Sequence, residues 1–162
     1  MRRPIGAYKE RFEHHAISDL EALSLRMWNQ TPVSTAEVRE LSRERIRAIW
    51  PKVVSGQTYD EADGGVLAFL TTPDAQEHLR KIEHDLEAQV KIVDGMFDEY
   101  LAYGKVPSPH FAMRIAVLLS TSGYMRHEMA FLAGWCKHFG EAQSNSVYTE
   151  LAERARSLRM YR

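Results

Sequence analysis

The sequence predicts an all-α fold, a five- or six-helix bundle built on one long antiparallel helical hairpin. Residues 72–104 repeat apolar side chains at alternating spacings of four and three, which keeps one helical stripe against a neighbour. Residues 108–140 open with a Ser-Pro helix start and are apolar on nearly every side of their first half. No run of β-branched residues alternates with polar ones between turn signals, so we expect no strand.

The first arm of the hairpin is predicted as one continuous helix about 45 Å long. Thr72 is its expected cap, Pro73 suits its first position, and Gly104 can adopt the left-handed conformation that closes a helix. The inward stripe consists of Ala75, Leu79, Ile82, Leu86, Gln89, Val93, Met96, Tyr100 and Tyr103.

The second arm is expected to kink, or to break into two helices, at residues 120–123. Two serines, a threonine and a glycine weaken a helix there. The half that follows is predicted to bury Met125 and Trp135 and to end at Gly140. His127 and His138 share one face of that helix, and Gly134 between them leaves room for a ligand or for another helix.

The remaining segments are predicted to complete a single helical domain over residues 1–162. A first helix should run from Tyr8 to Trp28, and a last one from residue 147 to 161. Ser34 and Glu37 form a capping box for a second helix, which Pro51 should bend or end. Thr58 can cap one further turn.

Composition describes an ordinary globular protein, with 44% hydrophobic and 27% charged residues. The net charge of −1 argues against nonspecific electrostatic binding to nucleic acid or anionic lipid. A single cysteine, Cys136, fits a reducing compartment, and no secretion signal is expected at the start. Residues 115–125 are uncharged but fall short of the roughly 20 residues that span a bilayer. We therefore expect a cytoplasmic protein without a membrane partner.

Seven histidines suggest a metal- or cofactor-binding helical bundle as an alternative function. No histidine follows a glutamate by three positions and no two histidines stand four apart, so the usual helical ligand spacings are absent and we expect neither a metal nor a cofactor. Pairs such as His15 with Asp19, or Asp74 with His78, read more simply as exposed acid and imidazole pairs. The residues that this alternative would use are His14, His15, His78, His84, Glu77 and Glu83.

Catalytic signatures are also absent, including a nucleophile elbow, a phosphate-binding loop and a dinucleotide fingerprint. His127 and Glu128 could form an acid–base pair, but adjacent helical residues point about 100° apart. We expect Arg126 and His127 on the outer surface and Glu128 bonded to a neighbouring helix.

Three arginines of the second helix, Arg39, Arg43 and Arg47, lie four residues apart and form one basic ridge. The overlapping segment SRERIRAIW resembles the start of the recognition helix in some bacterial helix-turn-helix factors. Residues 35–41 run into it without the glycine-containing turn of that motif. A DNA-binding regulator that uses this ridge is the second alternative.

The leading hypothesis is a non-catalytic protein that binds another macromolecule, most simply another protein, as a regulator, adaptor or inhibitor. Arginine and aromatic side chains dominate interface energetics. The predicted contact residues are therefore Arg39, Arg43, Arg47, Arg126, His127 and Trp135. Homodimerisation is a further expectation, because a long apolar hairpin exposes more surface than the other helices can cover.

Overall fold

The structure, a computed structural model, describes residues 12–140 and 146–160. Within these ranges the chain forms helices and no strand, which confirms the all-α class. The helices are α1 (His14–Asn29), α2 (Thr35–Val54), α3 (Tyr59–Asp63), a 3₁₀-helix (Ala68–Thr71), α4 (Ala75–Ile82), α5 (Leu86–Tyr103), α6 (Pro109–Thr121), α7 (Met125–Phe139) and α8 (Ser146–Met160). The predicted count of five or six is too low for these ranges, because two predicted helices are divided and the turn after Thr58 forms a helix.

The prediction of a continuous first arm is wrong, since α4 ends at Ile82 and α5 begins at Leu86. The Asp85 carboxylate accepts a hydrogen bond from the backbone N–H of Ala88 at 3.1 Å, which caps the new helix. Apolar spacing did not reveal this break, because Ile82 and Leu86 are still four residues apart. The inward stripe is nevertheless confirmed in α5, where it is buried from Leu86 to Tyr100.

The second arm breaks where its sequence predicted. α6 ends at Thr121, whose hydroxyl donates to the Val117 carbonyl at 2.9 Å. Gly123 adopts a φ of 80°, a left-handed conformation that allows the chain to leave one helix and enter the next. The pieces on either side are therefore two separate helices.

Helix ends follow local chemistry more closely than the apolar pattern. The Ser34 hydroxyl accepts from the backbone N–H of Glu37 at 3.2 Å, and Thr58 caps α3 in the same way, as predicted. Pro51 does not end α2, which continues to Val54; proline lacks the N–H that would bond to the Arg47 carbonyl, so it removes one backbone hydrogen bond of the helix. α1 begins only at His14, and the predicted start at Tyr8 lies outside the described residues. Thr72 follows the 3₁₀-helix and does not cap α4, whose cap position is Asp74.

The described residues divide into two compact units. The first contains residues 12–32, 84–90, 108–140 and 146–160, and the second contains residues 33–83 and 91–107. Helix α5 contributes residues to both. The prediction of a single domain stays a prediction.

Helix α7 is the centre of the first unit, where it packs against α1, α6 and α8. A buried ion pair joins α7 to α8, with Arg154 donating to the Glu128 carboxylate at 2.8 Å. Burial raises the pKa of Glu128, although the Arg154 guanidinium acts in the opposite direction. The core side chains of this unit include Leu20, Leu23, Met27, Ile115, Leu119, Phe131, Leu132, Trp135 and Leu151.

The second unit is organised around the carboxylate of Asp63, at the end of α3. Arg45 of α2 donates to it at 3.0 Å, and Lys105 donates to its other oxygen. Burial by itself would raise the pKa of Asp63, but the hydrogen bonds from Lys105 and Arg45 outweigh it and lower that pKa. One acidic side chain thus holds three segments of the unit together.

None of the helices in the described ranges is both long and apolar enough to cross a bilayer.

Replacing Asp63 by Asn should lower the free energy of unfolding by about 2 kcal/mol, because two cations lose their shared counter-ion in a partly buried site. The matched control is Glu40→Gln, which removes an ion pair to Arg43 that is exposed on both sides and should change stability by less than about 0.5 kcal/mol. Urea unfolding of the two variants measures both effects. Equal stability losses would show that the Asp63 contacts are no stronger than surface pairs.

Candidate functional site

Hydrogen bonds from histidines of α7 to acceptors of α1 connect these two helices at two points. The imidazole Nε2 of His127 lies 3.0 Å from the Glu21 carboxylate, and Nε2 of His138 lies 2.7 Å from the Met27 carbonyl. Both partners are acceptors, so both imidazoles donate through Nε2. The shared face of the two histidines therefore meets another helix.

Helices α1 and α7 approach each other closely at Gly134. A Cβ atom at this position would lie 3.0 Å from the Met27 Cβ and 3.0 Å from the Ser24 carbonyl oxygen. Only a residue without a side chain fits there without displacing α1. Of the two interpretations left open by the sequence, room for another helix is the one that the structure shows.

Burial lowers the pKa of His138, which the hydrogen bond to Met27 opposes and the charge of Lys137 assists. The neutral imidazole is therefore the form that the folded protein favours. By contrast, the pKa of the exposed His15 is raised by its hydrogen bond and charge interaction with Glu87.

An open groove lies along the outer side of the same helix pair, with a volume of about 1030 Å³. On α1 the lining residues follow the helical repeat, and on α7 a second row faces them; Ala155 and Arg159 of α8 complete the lining. The small side chains of Ala130 and Ala133 make the wall that α7 contributes to the groove shallow. The two rows are Leu20, Glu21, Ser24, Leu25 and Trp28 on α1, and Met125, Arg126, His127, Met129, Ala130 and Ala133 on α7.

Large apolar side chains in this groove are open to solvent. Leu25 is 60% exposed, Trp28 52% and Met125 54%. Large apolar side chains gathered on one surface mark interaction sites more often than isolated ones do. The Met125 position also corrects the prediction that this residue is buried.

The Trp28 ring is held in position although half of it faces solvent. The Lys137 ammonium donates to the Trp28 carbonyl and lies 5.4 Å from the centroid of its indole ring. A cation at this distance is attracted to the face of the ring. Less rotamer freedom is then lost when a partner covers the indole.

Two arginines at the groove have no ion-pair partner among the described residues. Arg126 stands at the start of α7 and Arg159 near the end of α8, and both are exposed. The acidic side chain in the lining, Glu21, is engaged by His127. Within the described part of the chain, the groove therefore offers apolar surface together with two arginines that no carboxylate pairs with.

The predicted contact residues fall into three groups. Arg126, which is exposed, and His127, which is partly exposed, line the groove, and Glu128 bonds to α8 as the sequence predicted. Trp135 is 1% exposed, so it is a core residue and not a surface contact. Its burial follows from the position of α7 at the centre of its unit. Arg39, Arg43 and Arg47 are exposed on α2 of the second unit.

Sequence reasoning missed Leu25, Trp28, Met125 and Arg159. Leu25 and Trp28 are three residues apart on α1 and lie off the buried stripe of Leu20, Leu23 and Met27. A second apolar row beside the first was the signal that could have identified them. Arg159 had no comparable signal, because α8 carries several arginines.

The residues of the metal alternative do not converge. In the described part of the chain, no three His, Cys, Asp or Glu side chains are placed to hold a metal ion. His15 bonds to Glu87, His84 lies 2.9 Å from the Arg114 guanidinium, and His78 stacks on Phe69. His14 and Glu83 are exposed, Glu77 pairs with Lys81, and the end of α4 at Ile82 separates Glu77 from His84.

The helix-turn-helix resemblance also lacks its geometry. α2 is one uninterrupted helix from Thr35 to Val54, and the segment SRERIRAIW lies in its interior. The motif needs a turn between two helices before the recognition helix.

No protein-family model matches the sequence, and no match was found among curated proteins or among solved structures. The described part of the chain is therefore a helical protein with an open, largely apolar groove.

Replacing His138 by Gln should make thermal stability less dependent on pH. As the pH falls below the ordinary imidazole value of 6.5, the unfolded chain takes up a proton that the folded chain resists, so stability falls. A glutamine amide can still donate to the Met27 carbonyl but does not titrate there. The loss of melting temperature between about pH 7.5 and about pH 5.5 should therefore be smaller in the variant. His14→Gln, on an exposed residue of α1, is the control, and an equal change in both variants would contradict the assignment.

Proposed function

We propose that this chain is a non-catalytic binding protein whose α1/α7/α8 groove receives an amphipathic helical segment of another protein, with acidic residues beside its apolar face. The observation that carries the proposal is the combination of half-exposed Leu25, Trp28 and Met125 with Arg126 and Arg159, which have no ion-pair partner among the residues that the structure describes, at one groove. Arginine and tryptophan are the side chains most enriched at energetic centres of interfaces.

The shape of the groove favours a helix as the occupant. Its lining residues on α1 and α7 repeat at three and four positions, so the groove follows the helix axes for about two turns, or roughly 10 Å. Helix-in-groove recognition uses anchors with this same repeat. The volume is at the upper end of the roughly 300–1,000 Å³ typical of small-molecule sites, which favours a larger ligand.

The charge of the groove favours an acidic occupant. Arg126 and Arg159 are each available for a carboxylate, and bidentate arginine–carboxylate contacts add direction to the apolar anchoring. A basic partner would leave both guanidinium groups unpaired and would be repelled by them. Acidic side chains on the partner therefore give specificity, and the apolar anchors supply most of the affinity.

The biological form of this binding, as a regulator, adaptor or inhibitor, stays a prediction, as does the cytoplasmic location. The antiparallel hairpin and the homodimer also stay predictions. The homodimer relied on a long continuous apolar arm, and the division between α4 and α5 shortens that arm.

Filling the groove should abolish peptide binding without unfolding the protein. Ala130 is exposed in the groove, so Ala130→Trp adds a large side chain above the surface and not within the core. A fluorescein-labelled helical peptide of about 18 residues, with leucines at positions i, i+4 and i+7 and flanking glutamates, is the probe. Its dissociation constant, measured by anisotropy, should rise more than tenfold in this variant.

The matched control is Ala22→Trp, which places the same side chain on an exposed position of α1 that does not line the groove. It should leave the affinity within twofold, and melting temperatures verify folding of both variants. Failure of the unmodified protein to bind the peptide, or equal affinity of both variants, would overturn the proposed groove.

Reversing the two groove charges should invert the charge preference of the site. In Arg126→Glu/Arg159→Glu, the acidic peptide should bind at least tenfold more weakly, because two attractive contacts become repulsive. A second peptide with lysines in place of the glutamates should bind this variant more tightly than it binds the unmodified protein. If both peptides weaken equally, the arginines act through packing and not through charge.

A further inference from the structure

Helix α2 is unusual in how little of it is buried. Of its 20 residues, Ile49 alone is classed as buried. Helical stability in proteins comes mostly from packing of one face, so a long exposed helix needs other support. Two contacts described above provide it, namely the Ser34 cap and the Arg45–Asp63 ion pair. The outer surface of α2 is therefore not required to hold the helix in place.

The exposed surface of α2 is sorted into two faces. With 3.6 residues per turn, the basic ridge of Arg39, Arg43 and Arg47 spans an arc of about 80°, and Glu37, Glu40 and Glu44 occupy the neighbouring arc. Mixed charges that stabilise an isolated helix are commonly interleaved as pairs on one face. Only one such pair is present on the ridge, Arg43 with Glu40 at 3.8 Å.

Toward the C-terminal end of α2, the face that carries the basic ridge becomes apolar. Ile46, Trp50 and Val54 are 48%, 59% and 70% exposed and, by helical spacing, fall within about 100° together with the three arginines. Arg39 and Arg43 lie in the first half of this face, Ile46 and Arg47 are adjacent at its middle, and Trp50 and Val54 lie in the second half. It therefore extends over 16 residues, from Arg39 to Val54, or about 22 Å.

We propose that this α2 face is a second binding site, independent of the groove, for an acidic amphipathic helix of another protein. The inference goes beyond the proposed groove, because it makes the chain a two-site adaptor. A partner helix of about four turns, with carboxylates along one half of a face and apolar residues along the other, would match the face over its whole length.

Protein fits this face better than nucleic acid does. Half of the face is aliphatic or indole surface, which phosphates do not cover, and the adjoining Glu40 and Glu44 repel a polyanion. A helical partner can bury Ile46, Trp50 and Val54 and pair with the arginines in one contact. The net charge of the chain, −1, gives no additional attraction for nucleic acid.

The test measures binding of two labelled probes to the full chain. One is a 16-residue helical peptide with four glutamates along the first half of a face and leucines along the second half, and the other is a mixed-sequence DNA duplex. The dissociation constant of the peptide should rise at least tenfold in Arg43→Glu/Arg47→Glu and about tenfold in Trp50→Ala. Arg80→Glu, at an exposed arginine of α4, is the matched control and should stay within twofold.

The groove variant Ala130→Trp separates the two proposals. If it leaves this peptide within twofold of its original affinity while the α2 variants weaken it, the second site is supported. If Ala130→Trp abolishes binding and the α2 variants do not, the peptide occupies the groove and the α2 proposal is overturned while the groove stands. Absence of peptide binding, or tighter binding of the duplex that is lost in Arg43→Glu/Arg47→Glu, also overturns it.

Discussion

The close approach of α1 and α7 at Gly134 is the constraint on which the candidate groove depends. Because Gly134 has no Cβ, its backbone lies against the Met27 side chain and the Ser24 carbonyl of α1. His127 and His138 then reach α1 from either side of this contact and fix its register. The side chains turned away from the contact, including Trp28 and Ala130, form the two rows of the groove.

The polar side chains near this contact form hydrogen bonds and ion pairs that hold the helices in place. The imidazoles of His127 and His138 each donate to one acceptor on α1, Glu128 is neutralised by Arg154, and Lys137 satisfies the Trp28 carbonyl. Groups engaged in this way lower the conformational freedom of the surface around them. Such a surface is preorganised, and preorganisation favours tight binding because less entropy is lost on association.

Much of the fold could be predicted from the sequence, because apolar periodicity and capping residues act locally. The buried stripe of α5, the Ser34 cap and the break before Gly123 are all short-range signals. The division after Ile82 was missed, since Asp85 caps a helix without disturbing the apolar spacing. The end of α2 was predicted only in part, because Pro51 was expected to bend or end the helix and α2 continues past it to Val54.

The candidate site was less predictable, because exposure depends on which helices are neighbours. Trp135 and Trp28 look alike in sequence, yet one lies in the core of α7 and the other borders the groove. The expectation that Arg126 lies at the surface is confirmed, and His127 is partly exposed, but the row of Leu25 and Trp28 opposite them belongs to a different helix. A local sequence pattern cannot show that α1 and α7 are neighbours that line the same groove.

On α7, the shallow wall of the groove is formed by the methyl groups of Ala130 and Ala133. Neither is fully buried, so larger aliphatic residues at these positions would make the groove shallower while the Gly134 contact stays as it is. The depth of the proposed binding groove is therefore separable from the packing that holds α1 and α7 together. Varying side-chain size at these two positions would change the groove without changing the helix contact.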